Sequence, residues 1–162
     1  IDIPNPKPIP QATGAAYVAR TYLLHWAYGV ERFYYYAWDN DWNQFQFVQT
    51  DGVSLTPAGI AYREVAQWMV GKAMESLSTD VNGTYIATLR DSRGRKQRAI
   101  WNPNQSVQFA VPPSWNVVQQ RNLAGAITDL RGKTSISVGE SPLLLQSRSS
   151  RMRLLPPARL VD

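Results

Sequence analysis

The chain contains no cysteine, a single histidine and only 18% charged residues. Without cysteine there can be no disulfide and no thiolate metal site, and the redox compartment is left open. His25 has no second histidine to share a metal with, and no G-x-S-x-G turn is present for it to serve as a triad base. It reads as a packed or surface histidine. The phosphate-cradling pattern G-x-x-x-x-G-K-[ST] is also missing. Apolar stretches are interrupted by His25, Gly29, Glu31 and Arg32, so none approaches the roughly 20 residues that span a bilayer. No cofactor, no metal and no membrane span are expected.

What is there is a globular composition, 44% hydrophobic over 162 residues, enough for one ordinary domain or two small ones. The opening Ile1 is not a methionine, and Pro4, Pro6, Pro8 and Pro10 make the first ten residues an extended entry with no leader-like character. Such a start is expected of a processed or truncated product. The net charge of +5 comes from 17 Lys+Arg against 12 Asp+Glu. Much of it lies in residues 147–162, where Arg148, Arg151, Arg153 and Arg159 face only Asp162. A basic end of this kind reads as a solvated tail, and nucleic acid is an unlikely partner.

Residues 13–28 are Ala-rich, with Ala16, Ala19, Leu23 and Trp26 at the spacing of one buried helical face and Gly29 as a stop. The stretch 30–42 is the centre of the chain: β-branched and aromatic residues predict a buried strand over 30–38, ending in Trp38, Asp39, Asn40, Asp41 and Trp42. Helix joined closely to strand belongs to α/β architectures. The polar segment 40–54 carries Trp42, Phe45 and Phe47 and is expected to lie over something. Thr56 and Pro57 then supply an N-cap and a first helical position, opening a helix with Ile60, Tyr62, Val65, Ala66, Trp68 and Met69 that stops at Gly71.

The period changes near residues 74–79. Runs at 84–90, 97–102, 107–111, 117–121, 126–130, 134–138 and 142–146 are strand-like and separated by turn signals such as Asp91-Ser92-Arg93-Gly94 and Asn102-Pro103-Asn104. Short strands spaced in this way predict a small antiparallel β-sandwich. The expected division is 1–73, 74–146 for the sandwich, and 147–162 as a basic tail.

Trp38 and Trp42 could both be core aromatics. Flanking Asp39, Asn40 and Asp41 at a strand end, they instead combine flat apolar faces with carboxylate and amide partners, the set that binds sugars. Asp39 and Asp41, two residues apart, would lie on one side of a substrate, so they are read as hydrogen-bonding groups rather than as a glycosidase acid and nucleophile. Arg90, Arg93, Arg95, Lys96 and Arg98 fall on a predicted hairpin and read as a solubilising edge, with binding of an acidic polymer the sharper alternative. The sequons Asn82-Gly83-Thr84 and Asn104-Gln105-Ser106 decide nothing.

The order Phe33-Tyr34-Tyr35-Tyr36-Ala37-Trp38-Asp39-Asn40, a long loop, Leu55-Thr56-Pro57-Ala58-Gly59-Ile60-Ala61-Tyr62 and Trp68-Met69-Val70-Gly71 resembles the last strand and last helix of clan A retaining glycoside hydrolases, which are (β/α)8 barrels. The later motifs Arg98-Ala99-Ile100-Trp101-Asn102, Val111-Pro112, Leu123-Ala124-Gly125 and Ser141-Pro142-Leu143-Leu144-Leu145 resemble the small β-sandwich often appended to such barrels. The likeness covers about residues 13–146, and it is carried by the joint order of the motifs.

The resemblance implies an α/β plus all-β chain: the terminal helix-strand-helix of a barrel, then a sandwich. It implies that Trp38 forms a wall of the subsite holding the sugar to be cleaved, with Asp39, Asn40 and Trp42 shaping the pocket or its loop. The catalytic carboxylates of that clan stand at the ends of the fourth and seventh strands, which would lie before Ile1. No catalytic residue is therefore assigned within the chain, which alone is expected to be inactive, since one strand cannot close an eight-stranded barrel. The implied partners are an oligo- or polysaccharide and the missing N-terminal portion of the barrel, in a secreted, periplasmic or cell-envelope setting. A non-catalytic carbohydrate-binding module using Trp101 or Trp115, and a polyanion-binding domain, are the alternatives.

Overall fold

A computed structural model of the chain describes residues 9–36, 38–39 and 46–147. Two helices precede eight strands: α1 (Gln11–Ala27), α2 (Pro57–Met69), β1 (Lys72–Thr79), β2 (Tyr85–Asp91), β3 (Lys96–Trp101), β4 (Val107–Ala110), β5 (Val117–Arg121), β6 (Ile127–Asp129), β7 (Ser135–Val138) and β8 (Leu143–Ser147). The architecture is mixed α/β and mostly β. Six strands form one antiparallel sheet in the order β1-β2-β3-β8-β5-β6, while β4 and β7 pair as a separate two-stranded ribbon. Among the described residues there is no parallel pair and no barrel.

The period-two alternation of β2, β3 and β8 divides the large sheet into two working faces. Ala87, Leu89, Ala99, Trp101 and Leu144 point to the helices, where they share a core with Ala19, Leu23, Ala61, Val65 and Trp68. Ile100 and Leu145 point the other way and meet Phe109, Ile136 and Val138 of the ribbon, together with Leu130. The sheet is thus the middle of three layers. That position explains why the central strands are apolar on both sides, a pattern usual in sheets covered on both faces. Ala87 and Ala99 matter by being small: they leave room on the helix side for the fully buried Trp68 and for the Tyr85–Trp101 stack, whose centroids are 5.1 Å apart.

Helix α2 begins as expected. Thr56 is its N-cap, its hydroxyl accepting from Gly59 N at 3.1 Å, with Pro57 in the first position. Its end is closed by a residue of the next strand, Lys72, whose Nζ donates to the Trp68 carbonyl at 2.6 Å and whose pKa is pushed down by burial. Gly71 bridges helix and strand at φ +72°, a conformation that favours glycine.

Asn102, 1% exposed, ties two turns together. Its amide nitrogen donates to the Asn82 carbonyl at 2.8 Å, its side-chain oxygen accepts from Asn104 N and Gln105 N, and its own backbone N donates to Gly139 O. Asn102→Ala should leave several of these groups unpaired and cost about 2 kcal/mol, read from urea unfolding. A change within a few tenths would mean that solvent satisfies them.

Candidate functional site

The predicted strand over 30–38 is not a strand here: its described residues pair with no other strand, and Val30, Tyr34 and Tyr36 are exposed. The reason is that a strand must hydrogen-bond to neighbours along its edges, and the six-stranded sheet is built entirely from residues beyond 71. What survives of strand character is the alternation of side chains. Phe33 and Tyr35 are half-buried, whereas Tyr34 and Tyr36 are 82% exposed.

The inward face is an aromatic cluster on the two helices. Phe33 meets Tyr22 edge-on at 5.0 Å and stacks on His25 at 4.3 Å. Tyr35 stacks on Phe47 at 4.2 Å, and Phe47 stacks on Tyr62 at 4.7 Å. His25 is accordingly a packed histidine, with Nδ1 also 2.8 Å from the Thr21 carbonyl oxygen. Burial, with Tyr62 and Tyr35 nearby, pushes the Tyr22 hydroxyl up to about 12, so it stays neutral at physiological pH.

Of the three aromatics expected to lie over something, Phe47 covers the cluster, while Trp42 and Phe45 lie outside the described residues. Phe47 is 1% exposed, Val48 bridges Leu55, and Asp51 accepts from Val53 N and Ser54 N to close the turn. Both Phe47 N and Val48 N donate to the Trp38 carbonyl, at 2.7 and 3.2 Å. Trp38 is therefore pinned by its backbone while half of its surface stays open, its ring edge-on to Phe47 at 5.4 Å. Asp39 follows and is exposed. Asn40 and Trp42, together with Asp41, lie outside the described residues.

The arrangement can present flat aromatic faces and a carboxylate to a ligand. No group of three metal-ligating side chains occurs among the described residues, and no helix there is long and apolar enough to cross a membrane. Compared with known protein families and with curated proteins, the chain matches none.

Other sequence candidates are placed elsewhere. Trp101 is buried against Tyr85 and offers no face to a ligand. Trp115, on the 3-10 turn Pro113–Trp115, lies under the Arg98 guanidinium at 4.2 Å. The basic hairpin is neutralised in part by neighbours: Glu75 binds both Lys96 and Arg90, which hold its carboxyl below the usual range, and Asp91 binds Arg95.

Sequence reasoning passed over Glu64 and Arg121, a buried bidentate pair at 2.6 and 2.8 Å that joins α2 to β5. The signal was present, since Glu64 shares the helical face of Ala61, Val65 and Trp68. A carboxylate on a buried face needs a partner, and that partner is 57 residues away.

Proposed function

We propose that this chain is the C-terminal part of a retaining glycoside hydrolase of the clan A type, contributing one wall of the sugar site and an accessory β-structure. The observation that carries the reading is the two-faced aromatic segment. Phe33 and Tyr35 pack on α1 and α2, while Tyr34, Tyr36 and Trp38 are open. In a (β/α)8 barrel each strand turns alternate residues to the surrounding helices and to the barrel interior, and active sites collect at the strands' C-terminal ends. A terminal strand without its two neighbours would have this form: one face seated on its helices, the other bare, and Trp38 at its carboxyl end.

On this reading the exposed tyrosines face the remaining strands of the barrel, and the acid/base and nucleophile stand on those strands. Trp38 stacks on the sugar, Asp39 and Asn40 bind its hydroxyls, and Trp42 borders the pocket. In the complete enzyme Trp38→Ala should lower kcat/KM by about 1–3 kcal/mol, the worth of a stacked aromatic wall, with the thermal midpoint nearly unchanged. Unaltered kinetics would remove Trp38 from the site.

A further inference from the structure

The ribbon side of the large sheet carries an open groove of about 1010 Å3 that shares no residue with the aromatic segment. Lys96 and Arg98 of β3 line it on one side, and Arg131 and Lys133, in the turn between β6 and β7, line it on the other. Among the described residues no carboxylate lines it. Glu75 and Asp129, which pair with Lys96 and Arg131, stand outside the lining, and the Arg131–Asp129 pair is exposed enough to compete poorly with a ligand.

Arg98 is the unusual member. Its guanidinium is half-buried over Trp115, and it makes no ion pair among the described residues. Burial pushes its pKa down against the opposing pull of the Glu75 carboxylate, and an arriving anion would add to that pull. A guanidinium held flat by a ring presents its N–H fork in one orientation, which suits a carboxylate.

Two features select the kind of anion. Cations on both walls, with the Ser114, Asn116 and Thr134 side-chain types between them, suit a chain that carries both repeated negative charge and hydroxyls. Trp115 is the one aromatic among the described lining residues, and Arg98 covers one of its faces, so at most one ring face is left for bases, where single-stranded nucleic acid is usually anchored by stacking on several. We infer that this groove binds an anionic polysaccharide through its uronic-acid carboxylates, with Arg98 as the principal contact and Lys133 and Arg131 on the opposite wall. The inference stands apart from the barrel reading, since it uses no residue of the helices or of the aromatic segment.

The test is calorimetric titration of the full chain with an oligogalacturonate, a neutral oligosaccharide of equal length and single-stranded DNA. The oligogalacturonate should bind and weaken as salt is raised, the neutral sugar should not bind, and the DNA should bind more weakly. Arg98→Ala should weaken oligogalacturonate binding about tenfold. Because Arg98 also covers Trp115, the exposed Lys133→Glu and Arg131→Glu are measured alongside and should each weaken binding while unfolding as the parent does. Trp38→Ala should leave this binding unchanged, which separates the groove from the proposed sugar wall. No oligogalacturonate binding at low salt would overturn the inference, as would tighter binding of the DNA. So would affinity that survives all three groove changes but disappears when the four arginines after Ser147 are replaced by glutamine.

Discussion

Glu64→Ala is expected to destabilise the protein by about 3–5 kcal/mol, the cost of leaving a charge buried without its partner. Arg121 is 7% exposed, and its two bonds to Glu64, at 2.6 and 2.8 Å, match the fork of a guanidinium to the two oxygens of a carboxylate. The Glu64 hydrogen bonds that raise the Arg121 pKa are lost in the variant, but a guanidinium is protonated in proteins regardless, so this cation cannot escape by losing its proton. It would have to draw in water or swing out, and either movement disturbs Leu123, which follows it into the helix–sheet core. The turn after it is tight against the pair as well: a Cβ on Gly125, already at φ +84°, would lie 2.9 Å from Glu64 Oε1. Urea unfolding followed by tryptophan emission measures the loss. Replacing both partners, Glu64→Met with Arg121→Met, should recover most of it, because the pair contributes far less than either orphaned charge costs. A single-variant loss below about 1 kcal/mol would mean that the site is wet and the pair behaves like a surface bridge.

The second large effect is expected at Gly59, although nothing about its backbone dihedrals demands glycine. A Cβ there would lie 2.1 Å from the Phe47 carbonyl oxygen and 2.9 Å from its carbon, distances that real atoms do not tolerate. Neither side can yield easily. Gly59 N is held by the Thr56 cap, and Thr56 in turn donates to the Gln46 and Phe47 carbonyls through its hydroxyl and its backbone N. Gly59→Ala should therefore cost about 3 kcal/mol, at the upper end of overpacking effects. Its consequence should reach the candidate site, because Phe47 N anchors the Trp38 carbonyl and the Phe47 ring lies between Tyr35 and Tyr62. The near-ultraviolet circular dichroism of the aromatic cluster should change along with stability. An unaltered aromatic spectrum would mean that the helix, rather than the covering segment, moved to make room.

Both effects depend on contacts between distant parts of the chain, and they mark where local reading stopped. Helix α2 was legible almost to the residue, since a capping threonine, a proline at the first position and a glycine stop act on their immediate neighbours. Most strands after residue 84 were legible too, because alternation and turn residues are local signals. Strand β1 was not assigned: Lys72–Thr79 is mostly exposed, and only pairing with β2 along its whole length makes it a strand. The stretch 30–38 failed in the opposite direction. Its β-branched and aromatic composition argued for a buried strand, but propensity cannot supply a hydrogen-bonding neighbour.

By itself the sequence determined the elements whose causes lie within a few residues: two helices and a series of short strands with their turns. Caps, turns and side-chain periodicity operate over one or two turns of chain, so they can be read in order. Tertiary structure alone decided which elements would pair and what each charge would meet. It inserted β8 beside β3, separated β4 and β7 as a ribbon, and seated Phe33 and Tyr35 while leaving Tyr34 and Tyr36 bare. It also gave Glu64 its arginine and set Arg98 over a tryptophan, with no ion pair of its own among the described residues. Register and ion pairing arise from the packing of surfaces distant in sequence, where the free energy of burying one residue depends on which other residue arrives to cover it.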